Sequence, residues 1–180
     1  KSAGVSKRLP IPIDDIRKVQ HLCRIIDDDL RWLVALVSDT GMRLAEGAGL
    51  LKSDIILDGD IPRIRLKPHP WRPLKTSCSQ RDIPLVGVSL WAAQRLSEAF
   101  PDSPYAFPRY NRKDTTNSNS ASAALNKWLH HYVPNGCTMH SFRHSVRDGL
   151  RAVECPSDIV DALGGWTTKM LAKNMALATT

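Results

Sequence analysis

No two of the four cysteines, Cys23, Cys78, Cys137 and Cys155, form a CxxC pair, and none has a histidine at zinc-finger spacing. Neither a structural metal nor a disulfide framework is suggested, and the four read as reduced thiols of a cytosolic protein. There is also no apolar run near the ~20 residues that a membrane-spanning helix requires. The first residues lack the apolar stretch of a signal peptide, so a soluble intracellular protein is expected. No internal repeat is present, and the Ser/Asn/Thr cluster at 115–122 is the one compositionally biased stretch. Acidic residues are in the minority: 18 Asp and Glu face 25 Lys and Arg, a formal charge of +7. That balance suits a surface meeting a polyanion.

What is present fits one compact domain, since 180 residues with 42% hydrophobic content can bury a substantial core. Ile16, Val19, Cys23 and Ile26 recur at helical spacing after Pro10-Ile11-Pro12, and Trp32, Leu33, Leu36 and Val37 repeat the pattern. Thr40-Gly41 closes this second helix, and a short third one is expected near Met42. Ile55-Ile56-Leu57, the turn Asp58-Gly59-Asp60 and the alternation through Ile61, Ile64 and Leu66 then predict a hairpin. Ile83 and Leu85 supply a third strand of a small antiparallel sheet. Helical periodicity returns over 88–100, 121–132, 141–153 and 156–164, with a polar interruption at 101–119 long enough to be a functional or mobile loop. The predicted fold is α+β and mainly α.

Four local motifs carry chemistry. The first is Thr40-Gly41-Met42-Arg43-Leu44-Ala45-Glu46, and the second is Met139-His140-Ser141-Phe142-Arg143-His144. The third, Leu163-Gly164-Gly165-Trp166, follows His140 by 26 positions, and Arg43 and Arg143 stand 100 positions apart. The fourth is Leu74-Lys75-Thr76 followed by Arg81-Asp82-Ile83-Pro84-Leu85. Each has a plain reading: an Arg with Glu three residues on is usually a surface ion pair, and a tryptophan is usually a core or interface aromatic. A basic turn is usually solvated charge, yet Arg63, Arg65, Lys67, Arg72 and Arg81 crowd the same hairpin as Lys75 and are candidates for DNA phosphate contacts.

In order and spacing these motifs resemble the catalytic domain of the tyrosine recombinases, the phage-integrase family. The resemblance runs from about Ile11 to Met175. It implies the fold of the DNA breaking-rejoining enzymes, helical with a small three-stranded sheet, and catalytic roles for Arg43, Lys75, His140, Arg143 and Trp166. Lys67 competes with Lys75 for the hairpin lysine. Two guanidiniums give fixed donors that stay charged and can hold the nonbridging oxygens of a phosphodiester. A lysine ammonium can protonate the departing 5′ oxygen, and a histidine can accept or relay the attacking proton. Trp166 offers an indole N–H, a donor with no acceptor capacity. No metal or other cofactor is called for.

The family's nucleophile is a tyrosine that links covalently to the 3′ phosphate. Counting without gaps from Trp166 to its position lands on Met175, and the three tyrosines, Tyr105, Tyr110 and Tyr132, all precede His140. The chain, starting at Lys1 without Met, reads as a piece of something longer, a single catalytic domain over 1–180 without the family's N-terminal core-binding domain. Residues 169–180 form a tail that is either truncated or, as in the family, exchanged between protomers on DNA. The expected function is site-specific recombination or integration of duplex DNA for a phage or other mobile element, in the cytoplasm of a bacterial or phage-infected cell. An inactive recombinase-like DNA-binding or regulatory module is the alternative, and a type IB topoisomerase-like enzyme stands behind both.

Overall fold

The structure is a computed structural model that describes residues 9–166. The expectations placed on 169–180, including the nucleophile position at Met175, lie outside the described residues.

Helix α1 (Ile13–Ile26) is amphipathic, and it buries Ile16, Val19 and Cys23 along one stripe. Asp27 ends it in the left-handed region, at φ 51°. Its neighbour α2 (Asp29–Thr40) starts on Asp28, whose carboxylate accepts the N–H of Arg31 at 2.9 Å, a side-chain cap for an otherwise orphan donor. The run Leu33, Val34, Ala35, Leu36 and Val37 is at most 1% exposed. A helix apolar on every side has to be surrounded, and α2 accordingly packs against α1, α4 (Gly87–Glu98) and α6 (Ser141–Ala152). Each fully buried leucine there contributes about 1.5–3 kcal/mol relative to exposure.

Gly41 closes α2 at φ 63°, and a Cβ on it would press against Val146 of α6 at 3.1 Å. Both constraints favour glycine. The short α3 (Leu44–Ala48) follows, starting two residues later than Met42, because Arg43 is still extended (ψ 147°). Its N–H is taken by the Glu46 carboxylate at 2.9 Å, so the chain turns into the helix only after Arg43.

The three strands β1 (Ile55–Ile56), β2 (Arg63–Leu66) and β3 (Arg81–Pro84) pair antiparallel in the order β1-β2-β3, as expected. The register sets Ile64 against Ile83 and Leu66 against Arg81, so Ile64 and Leu66 face the core while Arg63 and Arg65 face out. Ile61 lies outside the strand and is 60% exposed. The connection between β2 and β3 folds back on the body. His69 and Arg72 form a backbone bridge, His69 stacks on Trp71 at 4.6 Å, and the Trp71 indole donates to the Gly49 carbonyl at 3.2 Å.

The polar interruption before α5 (Ser118–Leu129) is more structured than its composition suggests. A 3-10 turn at Pro108–Tyr110 leads into a small hairpin, β4 (Asn111–Arg112) with β5 (Thr115–Thr116). Two-residue strands are too short to show alternation in a sequence. Helix α5 starts three residues earlier than the apolar periodicity, because the Asn117 side chain accepts the N–H of Ser120. After α6, helix α7 (Ser157–Gly164) brings the chain back beside α6 and β3.

Candidate active site

Arg43 stands at the start of α3, with its guanidinium donating to the Glu46 carboxylate at 2.9 Å and to the Ser79 hydroxyl at 3.2 Å. Glu46 is 3% exposed, and its second oxygen also accepts from Arg81 at 3.1 Å. Burial pushes the Glu46 carboxyl up, but the Arg81 charge, the Arg43 N–H and the two guanidinium bonds outweigh it and hold the pKa below the ordinary glutamate value. Glu46 is therefore the anionic keystone between two arginines from different elements. Arg81 completes the junction by donating to the carbonyls of Leu163 at 2.8 Å and Ser79 at 2.6 Å.

Arg143, in the first turn of α6, is 4% exposed. It donates to the Gly41 carbonyl at 2.9 Å and to the Gly164 carbonyl at 2.6 Å, tying together the ends of α2, α6 and α7. Burial first, then the charges of Arg43, Arg81 and Arg147, bring its pKa down to about 10, with Glu46 acting in the opposite direction. Repulsion among gathered cations marks a place where an anion is welcome.

Trp166 covers this centre. The guanidinium of Arg143 lies 4.4 Å from its ring centroid and that of Arg147 lies 4.8 Å away, both within cation–π range. Arg147 also reaches Asp161 at 3.8 Å. The ring rests on Gly164, where any Cβ would collide with it. Gly165 then turns the chain at φ 61°. The two glycines before Trp166 thus have separate causes, one of space and one of backbone geometry.

The structure brings Arg43, Arg143 and Trp166 into one connected cluster. His140 occupies the position just before α6, its ring 5.2 Å from that of His144, and it helps to wall a groove of about 340 Å³ that also takes in Leu44 and Ala45 beside Arg43. Lys75 is exposed on the β2–β3 connection, next to Thr76, whose hydroxyl lies 3.0 Å from that of Ser79.

The arginines assigned to DNA contact divide. Arg63, at 3.3 Å, and Arg65, at 3.5 Å, both pair with Asp82 on the outer face of the sheet, and Lys67 is exposed beyond them. Arg72 departs from the expectation. It is 2% exposed, donates to the Lys67 carbonyl at 2.8 Å, and is packed where Gly49 leaves room for its stem. Arg81 departs too, since its side chain is 6% exposed and belongs to the Glu46 junction. Ser79 and Arg147 join the cluster with no local signal in the sequence, and Arg81 joins it as a buried partner of Glu46. Glu46 had a signal, three positions after Arg43, which reads equally well as an exposed ion pair.

Tyr110 is 4% exposed, and burial pushes its phenol pKa up. That environment suppresses a nucleophile rather than activating one. The half-buried Tyr105 donates its hydroxyl to the Arg112 carbonyl at 3.5 Å.

No curated protein matches this sequence. Solved structures do match. The XerA recombinase superposes with a TM-score of 0.68 at 14% identity, over 91% of this chain and 57% of that one. The Tn1549 transposon integrase in complex with circular intermediate DNA gives 0.68 at 15% identity, over 95% and 63%. The XerH site-specific recombinase bound to difH substrate gives 0.67 at 18%, over 89% and 48%. The chain thus spans about half to two thirds of the length of these structures, and at such identities the likeness concerns the fold. The profile of the phage integrase family matches residues 13–174, nearly the whole chain, and the protein therefore belongs to the phage integrase family, with the tyrosine-recombinase catalytic fold.

Proposed function

We propose that this chain is the catalytic domain of a site-specific DNA recombinase and grips a scissile phosphodiester with Arg43 and Arg143. The observation that carries this reading is the pairing of Arg43 and Arg81 on the buried carboxylate of Glu46, with Arg143 bonded to Gly164 next to the Leu163 carbonyl that Arg81 holds. Each terminal guanidinium nitrogen has two hydrogens, so the bonds of Arg143 to Gly41 and Gly164 leave further N–H groups for a phosphate. As negative charge moves onto the nonbridging oxygens during displacement, such fixed donors stabilise the transition state more than the ground state. Lys75 protonates the departing 5′ oxygen, His140 takes up or relays the attacking proton, and the Trp166 indole N–H donates to a phosphate oxygen. Duplex DNA is the partner, and a bacterial or phage-infected cytoplasm is the place of action. Among the described residues no helix is long and apolar enough to cross a membrane.

The attacking phenol is not supplied by Met175, and the burial of Tyr110 speaks against relocation there. This favours a second reading beside the first, in which the chain holds DNA without cutting it. A nicked suicide duplex separates the two when offered to the wild type and to Met175→Tyr. A covalent adduct formed only by Met175→Tyr supports an intact cradle lacking its nucleophile. Salt-sensitive DNA binding with no adduct from either protein supports the binding module. A wild-type adduct mapping to Tyr105 or Tyr110 refutes both.

A further inference from the structure

We propose that the N-terminus of α5 and the β4–β5 hairpin form a second phosphate subsite, which holds the DNA backbone at a distance from the arginine cluster. The choice of DNA as its ligand rests on the reading above. A hollow of about 350 Å³ lies between the hairpin and the first turn of α5, walled by Arg109, Tyr110, Arg112, Thr116, Ser118 and Asn119.

Three independent features give this hollow a preference for anions. The twelve-residue α5 has no acidic residue in its first turn, and the Asn117 side chain satisfies only the N–H of Ser120. The amides of Ser118 and Asn119 remain at the positive end of the helix dipole, where an anion is favoured. Tyr110 is the second feature. It is 4% exposed and in the wall of the hollow, yet its hydroxyl has no hydrogen-bond partner among the described residues. Leaving a buried hydroxyl unmade is costly, and a bound oxyanion would accept its hydrogen. The raised pKa keeps that hydrogen in place. The third feature is charge. Asp28 and Asp29 act on Tyr110, but Arg31 pairs with Asp28 at 3.1 Å and Arg109 with Asp29 at 2.9 Å. Arg112 is exposed and enters none of the described ion pairs, so its charge is left over for a ligand.

The hollow does not stand alone. Ser118 and Asn119 also wall the groove that contains His140, so one polar surface runs from His140 across the α5 N-terminus to Arg112. A strand whose scissile phosphate sits at Arg43 and Arg143 can lay a neighbouring phosphate on this second set of donors.

The test combines amide NMR of the whole chain during titration with dimethyl phosphate and duplex affinity as a function of salt. It uses the wild type, Tyr110→Phe and Arg112→Gln. The expected result is that the Ser118 and Asn119 resonances move in the wild type and respond about threefold less in Arg112→Gln, while the salt slope of DNA binding falls by about one unit. Tyr110→Phe, which removes one donor and no charge, weakens the dimethyl phosphate response and leaves the slope unchanged. If those resonances stay still and Arg112→Gln binds DNA like the wild type, the subsite is refuted and the DNA reading stands. If the wild type binds no duplex but the resonances follow dimethyl phosphate, the anion site stands and DNA as its ligand is refuted.

Discussion

The guanidinium of Arg143 lies over the ring of Trp166, 4.4 Å from its centroid, and donates to the carbonyl of Gly164, the residue on which that ring rests. An arginine from α6, the last carbonyl of α7 and the following aromatic thus lock one another. Disturbing any one of the three disturbs the other two.

Gly164→Ala provides a direct test of that lock. The new methyl group occupies the place of the Trp166 ring, so either the ring leaves Arg143 or the end of α7 shifts. Overpacking of this kind costs about 1–3 kcal/mol, measurable by chemical denaturation. Loss of salt-sensitive DNA binding should accompany it, whereas an unchanged midpoint would show that Trp166 does not rest on Gly164.

Glu46→Gln should reveal the keystone through its pH dependence. Because folding lowers the Glu46 pKa, its contribution is fully present above the ordinary glutamate range and is lost as the pH falls through the lowered folded value. At neutral pH the variant should be less stable by about 3 kcal/mol, the scale for breaking a buried ion pair. Stability curves that converge below the glutamate range confirm the sign, and parallel curves contradict it.

An anion should relieve the crowded cations around Arg143, whose pKa is brought down to about 10 by burial and by its positive neighbours. Sulfate or phosphate should therefore raise the melting temperature of the wild type more than that of Arg43→Gln. At a hundredfold excess over its dissociation constant the site-specific part is about 2.7 kcal/mol. The general salting effect is common to both proteins and cancels.

Lys75→Ala should leave stability unchanged, because the side chain is exposed. In the Met175→Tyr background it should slow strand cleavage by roughly 10²–10⁴-fold, the range for losing a positioned general acid. A 5′-bridging phosphorothioate, whose sulfur leaves without protonation, should restore the rate. Failure of that rescue would remove Lys75 from the acid role and return Lys67 to consideration.

The helices α1, α2, α4, α6 and α7 were legible because each shows a 3.6-residue apolar period, and the sheet because Ile64, Leu66 and Ile83 alternate with charge. The β4–β5 hairpin was not legible, since two-residue strands carry no period. Arg43, Arg143 and Trp166 could be singled out by motif and spacing. Arg72 and Arg81 could not be told from Arg63 and Arg65, because nothing local distinguishes a basic residue of a solvated turn from one folded inward.

The order of amino acids is enough to set the charge, the helical periods and the succession of the motifs, all of which depend on residues near one another along the chain. It also determined that no tyrosine stands at position 175, a matter of identity that no folding can alter. Which cations are paired, buried or left over follows from folding in three dimensions. Glu46 meets Arg81 across 35 positions and Arg143 meets Gly41 across 102, and the energy of a charge depends on the partners and the water that folding places beside it.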